Sequence, residues 1–153
     1  MKNVEIYTDG ACTGNPGKGG FGAVLIYNGN EKQISQGYRK TTNNRMELLA
    51  VIVGLEAIKR ERAQVNVYSD SSYVVNAITQ GWLDKWLVKG LHKQKNADLW
   101  ERFYKIFKKH NVRFFWIKGH AGHPENERCD KLAVEAATSA HLLKDEGYEC
   151  NIE

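Results

Sequence analysis

The dipeptide Asn28-Gly29 constrains the fold of this chain more than any other pair of residues. It stands between two runs rich in apolar residues, Phe21 to Tyr27 and Lys32 to Tyr38. Asn-Gly favours the tight two-residue turn whose twist matches that of paired strands, so the two runs predict an antiparallel hairpin. Ahead of it, Val4 to Thr8 alternates as a further strand and meets a turn signal at Asp9-Gly10. A glycine-rich loop, Gly14 to Gly20, joins that strand to the hairpin. Three consecutive strands predict an antiparallel meander.

Beyond the meander the period changes. Asn44 to Ile58 carries Met46, Ala50, Val53 and Ala57 at helical spacing, and Leu48, Val51, Ile52 and Leu55 widen the apolar stripe. So broad a stripe predicts a helix buried over much of its surface. Val65 to Ser69 reads as a strand and Ser71 to Thr79 as a short helix; Gly81 to Asn96 reads as irregular, basic and aromatic. Ala97 to Lys108 predicts a helix, Val112 to Ile117 a strand, and Glu125 to Ala140 a last helix. The order β-β-β-α-β-α-α-β-α predicts an α/β fold, a five-stranded mixed sheet flanked by helices.

The length of 153 residues suits a single domain, residues 1–153, with a core that needs no disulfide. Lys and Arg exceed Asp and Glu by 22 to 18; the net charge of +4 permits a polyanionic partner without requiring one. Cys12, Cys129 and Cys150 are odd in number and form no C-x-x-C pair, as expected of free thiols in a reducing compartment. No apolar leader precedes Val4, and no run approaches the roughly 20 apolar residues needed to cross a bilayer. A cytoplasmic protein without membrane contact is the expectation.

Four acids stand where acids are informative. Asp9 ends the first strand, Glu47 lies in the first turn of the long helix, Asp70 ends the fourth strand and Asp130 lies in the last helix. Each has an ordinary reading: a turn at Asp9-Gly10, a capping box between Asn44 and Glu47, a helix cap at Asp70, a solvated charge at Asp130. If the first and fourth strands pair in parallel, however, Asp9 and Asp70 become neighbours. Four carboxylates in one cleft repel and call for cations, and hard oxygen donors favour Mg²⁺ or Mn²⁺. Two such ions about 3.5–4 Å apart suit in-line phosphoryl displacement.

Several stretches together resemble type 1 ribonuclease H, most closely its bacterial branch. They are Tyr7-Thr8-Asp9-Gly10-Ala11-Cys12, Gly14-Asn15-Pro16-Gly17, Thr41 to Leu48, Ser69-Asp70-Ser71, Lys118 to His123, and Asn126-Glu127-Arg128-Cys129-Asp130. The resemblance implies the ribonuclease H fold and an endonuclease that hydrolyses the RNA strand of RNA–DNA hybrids, leaving 5′-phosphate and 3′-hydroxyl ends. It implies two Mg²⁺ ions on Asp9, Glu47, Asp70 and Asp130. Asp9 would bridge both, Asp130 would serve the ion that activates water, and Glu47 and Asp70 the ion at the leaving group. His120 matches a loop histidine that assists proton movement and product release. A zinc site from His120, His123 and Cys129 is the alternative, and it lacks the fourth ligand of a structural site.

The same resemblance assigns the substrate surface. Cys12, Asn15, Asn43 and Asn44, with the backbone of the glycine loop, would read the 2′-hydroxyls of the RNA strand. Lys40, Thr42 and Asn96 would form a DNA phosphate pocket, with Lys40 supplying charge where relatives often place the bidentate fork of arginine. Trp82 and Trp86 would line the DNA channel, or else pack in the core. Ser72 stands where bacterial relatives often carry glutamine. The basic region with Lys85, Lys89, Lys93 and Lys95 is shorter than in many bacterial members, which predicts weaker hybrid affinity. A monomer is expected. A silent hybrid-binding module and a DNA-directed nuclease of similar fold are the competing readings.

Overall fold

The computed structural model of the chain describes residues 3–118 and 124–150. Strands β1 (Val4–Thr13), β2 (Gly17–Tyr27) and β3 (Asn30–Thr41) form the meander, with the hairpin turn at Asn28 and Gly29, both at positive φ. Helix α1 (Asn43–Glu56) leads to β4 (Gln64–Ser69), followed by α2 (Ser72–Thr79), α3 (Trp82–Lys89) and α4 (Ala97–Phe107). Then come β5 (Asn111–Trp116), α5 (Pro124–Ala137), β6 (Leu142–Leu143) and α6 (Glu146–Glu149). The sheet order is β5-β4-β1-β2-β3-β6. The meander is antiparallel, while β1–β4, β4–β5 and β3–β6 are parallel.

The expected mixed sheet is present, with β6 as a two-residue sixth strand. Three local expectations need correction. Asp9-Gly10 is no turn, because β1 runs through both residues to Thr13. The glycine loop shrinks to Gly14–Pro16, since β2 already begins at Gly17. The stretch read as irregular holds α3 and a 3-10 turn, Leu91–Lys93. Gly81 and Gly90, both at positive φ, bracket that helix, and Leu83 buries one side of it.

Helix α1 is the centre of the core. Met46, Leu48, Ala50, Val51, Ile52 and Leu55 are fully buried around its circumference. It contacts the sheet at β1 and β2 and also α4, whose Trp100 and Phe103 are buried too. A helix apolar on all sides has to be enclosed in this way. Helix α5 covers β1, β2 and β3. It lies on the opposite face: a Cβ on α1's Gly54 would touch Ile6, whereas α5 rests on Gly22, the cross-strand partner of Asp9. Among the described residues no helix is long and apolar enough to cross a membrane.

Candidate active site

The parallel pairing of β1 with β4 has the register Val4↔Val65 through Tyr7↔Tyr68. Extended by two residues, that register sets Asp9 opposite Asp70, the expected juxtaposition. Gly10 brings in the third acid. A Cβ there would lie 2.6 Å from the Glu47 backbone nitrogen and 2.8 Å from the Met46 carbonyl carbon, so only glycine lets α1 approach this closely. The Gly10 N–H donates to Glu47 Oε1. Glu47 is the fifth residue of α1, two positions deeper than expected, because Thr42 rather than Asn44 caps the helix by accepting from Arg45 N–H. Asp70 is likewise no cap: Ser71 caps α2, accepting from Val74 N–H.

Asp9, Glu47 and Asp70 place carboxylate oxygens within 4.8 Å of one another. Asp130 stands outside that trio, and its charge acts on Asp9 from α5. Gly22 makes this possible. A Cβ on Gly22 would lie 2.5 Å from the Cys129 carbonyl oxygen, so α5 sits directly on the backbone beside Asp9. Asp9 and Glu47 are 5% and 4% exposed. Burial, aided by the charges of Asp70 and Asp130, pushes Asp9 up to about 7 despite a hydrogen bond from Glu47. Burial and Asp9 hold Glu47 well above the usual carboxylate range. Among the described residues no salt bridge engages any of the four acids. The set is hard, oxygen-only and short of positive charge, which fits divalent cations of the Mg²⁺ class.

Asp9, Glu47 and Asp70 line a cavity of ≈ 280 Å³ together with Asn43, Asn44, Ser72 and Tyr73; Asp130 is not among its lining residues. Asn15 Oδ1 accepts from the Asn43 N–H at 3.1 Å and so ties the short turn to the start of α1. Cys12 is half-buried, its thiol 3.5 Å from the Thr41 carbonyl oxygen. Thr42 and Asn96 line an adjoining cleft of ≈ 480 Å³ with His92, Gln94 and Lys95. Lys40 is exposed and is not among the residues lining that cleft. The two tryptophans divide: Trp86 packs edge-on against Trp100 at 5.2 Å, while Trp82 is 39% exposed. Lys85, Lys89, Lys93 and Lys95 are all exposed.

His120 and His123 lie outside the described residues. Cys129 is buried with its thiol 3.1 Å from the Tyr7 carbonyl oxygen, and burial pushes it up to about 12. A thiol held protonated is a poor zinc ligand.

Sequence reasoning missed a second cluster of buried charge. Arg45, 2% exposed, donates through Nε and Nη2 to Asp145 at 2.8 and 2.9 Å, and through Nη1 and Nη2 to Asp98 at 2.9 and 2.7 Å. Thr41 Oγ1 donates to Asp145 at 2.6 Å, and Asp145 caps α6. The available signal was a lone arginine beside the most apolar stretch of the chain, since a buried cation requires partners.

An RNase H family model matches residues 1–138. A ribonuclease H from Desulforamulus reducens is 58% identical over 150 residues, covering 95% of this chain and 94% of the relative. One from Escherichia coli is 51% identical over 157 residues, 99% of each. Among solved structures, LC9-RNase H1, a type 1 RNase H with the type 2 active-site motif, superposes with a TM-score of 0.80. It is 35% identical and covers 97% of this chain and 80% of its own. LC11-RNase H1 in complex with an RNA/DNA hybrid gives a TM-score of 0.65 at 31% identity, over 88% and 96%.

Proposed function

The chain belongs to the RNase H family, and from that premise we propose that it cuts the RNA strand of RNA–DNA hybrids at the cavity lined by Asp9, Glu47 and Asp70, with Asp130 acting from α5. The observation that carries this reading is the convergence of three carboxylates, Asp9, Glu47 and Asp70, with the charge of Asp130 acting on Asp9 and no salt bridge to any of the four among the described residues. The family needs a divalent metal. Asp9, Glu47, Asp70 and Asp130 would hold two Mg²⁺ ions, Asp9 serving both, Asp130 the activation of water and Glu47 and Asp70 the leaving group. Bound there, the ions would supply Lewis-acid charge to the attacking and leaving oxygens of an in-line displacement, leaving 5′-phosphate and 3′-hydroxyl ends.

The protein's own contribution is preorganisation. Gly10 and Gly22 bring two helices onto the backbone beside Asp9, so the carboxylates need not move to meet cations. Burial and neighbouring carboxylates raise both Asp9 and Glu47, so positive charge arriving at the cavity favours their ionised forms. His120 is assigned the proton-transfer and product-release role because imidazole titrates near neutrality. Cys12, Asn15, Asn43 and Asn44 border the cavity or the turn tied to it, and are assigned to the 2′-hydroxyls of the RNA strand. Thr42 and Asn96, sharing the second cleft with Lys95, are assigned to a DNA-strand phosphate, with Lys40 adding charge nearby. Trp82, which is exposed, and Trp86, packed edge-on against Trp100, are assigned to the DNA channel. Ser72 is a short polar contact at the cavity rim.

A single domain over residues 1–153, acting as a cytoplasmic monomer, completes the proposal. The hybrid bound to LC11-RNase H1 supports the choice of substrate. Cleavage of matched hybrid, double-stranded DNA and double-stranded RNA in Mg²⁺ tests it. RNA-strand cleavage confined to the hybrid is the expected result. Cleavage of duplex DNA would point to a DNA-directed nuclease, and tight hybrid binding without cleavage to a binding module.

A further inference from the structure

Asn96 starts α4 but does not cap it. Its backbone is left-handed, at φ 62°, a region asparagine tolerates better than most residues, and its side chain makes no capping hydrogen bond. The side chain instead spans two groups. Arg45 Nη1 donates to Asn96 Oδ1 at 3.3 Å, and Asn96 Nδ2 donates to the Tyr73 hydroxyl at 3.1 Å. The same hydroxyl accepts from Trp100 Nε1 at 2.8 Å.

These partners determine which way the amide faces. A guanidinium has donors only, so the group meeting Arg45 must be the amide oxygen. Arg45 cannot turn aside, because every N–H of its fork has an acceptor in Asp98, Asp145 or Asn96. On the other side, the indole N–H of buried Trp100 is also only a donor and occupies one lone pair of the Tyr73 hydroxyl, leaving the other for Asn96. One N–H of the amide is thereby used on Tyr73. The second has no protein acceptor among the described residues, and Asn96 lines the ≈ 480 Å³ cleft with Thr42, His92 and Lys95.

We infer that Arg45 and Tyr73 are positioning residues for Asn96, holding its amide with one N–H free for a DNA-strand phosphate in this cleft. The inference rests on the assignment of Asn96 to such a phosphate. Arg45 does not act here as a phosphate-binding charge: two carboxylates surround its one guanidinium, so the cluster carries no surplus positive charge. Its effect on the ligand is to orient a neutral donor. Tyr73 lines the acid cavity and reaches this cleft through its hydrogen bond to Asn96, so the grip on the DNA strand and the cleavage centre share one side chain.

The test is a coupling measurement. Hybrids carrying a single neutral methylphosphonate at successive DNA-strand positions are bound, without metal, to the parent, Tyr73→Phe, Arg45→Lys and Asn96→Ala. In the parent, neutralising one phosphate should weaken binding by about fivefold, the worth of one hydrogen bond. Tyr73→Phe keeps the ring against Trp100 and loses only the oxygen. It should bind the unmodified hybrid about fivefold more weakly and pay nothing further at that same phosphate. Arg45→Lys, which keeps the charge but not the fork, should show the same loss of sensitivity in its folded fraction. A purely structural role would lower binding equally for every hybrid in the series. Multiplying penalties, or parent-like binding by Tyr73→Phe, would overturn the inference. If Asn96→Ala leaves the phosphate scan unchanged, the phosphate assignment itself falls, and that result is recognisable whatever the other variants do.

Discussion

Two residues of one helix, Arg45 and Glu47, enter opposite kinds of buried electrostatics. Arg45 meets two acids that neutralise it and use its whole hydrogen-bonding fork. Glu47 meets Asp9 and Asp70, which repel it. Both side chains are almost fully buried, at similar desolvation cost. The first cluster is complete within the protein and fastens α4 and the tail to α1. The second is complete only with cations from outside. A buried charge with an oppositely charged partner indicates structure, whereas buried like charges with no opposite charge among them indicate a ligand.

The two clusters should respond to substitution with opposite signs. Arg45→Met would leave Asp145 buried without its cation and should cost about 3–5 kcal/mol of stability, read from urea unfolding. Asp9→Asn, in metal-free buffer at pH 8, should raise the melting temperature, because it removes a repelling charge. A destabilised Asp9→Asn would mean that the acids are already balanced.

Gly22→Ala sharpens the comparison at the level of the backbone. The added methyl meets the Cys129 carbonyl, so α5 must shift, at a cost of about 1–3 kcal/mol. Asp130 rides on that helix, so cleavage should fall more than stability alone explains. Retention of full activity per folded molecule would show that Asp130 need not sit where α5 holds it.

A smaller effect separates the clusters by pH. Asp9 is raised from 3.8 to about 7. Its contribution to metal-free stability is therefore present below its unfolded value and lost as pH rises toward 7. Asp98 is lowered by Arg45 against the opposing effect of burial, so its contribution is present above 3.8 and lost as pH falls below that value. Melting temperature in chelator should decline between about pH 4 and 7 in the parent and decline less in Asp9→Asn. Equal slopes would remove Asp9 as the cause.

Much of the site was legible from sequence because strand ends and helix starts can be placed by period. Asp9 and Asp70 follow from two parallel strands, and Glu47 from the start of an unusually apolar helix. The glycines misled because the same residue type serves turns and close packing. Gly10 looked like a turn and Gly20 like loop, yet one admits α1 and the other lies under α5, where a Cβ would meet the Ala133 carbonyl oxygen. Helix α3 was hidden by its eight-residue length and interspersed lysines. The Arg45 cluster joins residues 53 and 100 positions apart, a distance that no local pattern encodes.

The most direct measurement is cleavage of an end-labelled RNA–DNA hybrid by the parent and by Asp70→Asn, each with and without Mg²⁺. Asparagine keeps the shape of Asp70 and removes its charge. Cleavage of the RNA strand by the parent only when Mg²⁺ is present, with a loss of at least about 10²-fold in Asp70→Asn, is the predicted result. Equal cleavage by both proteins would contradict the assignment of the carboxylate cluster as the metal-binding active site.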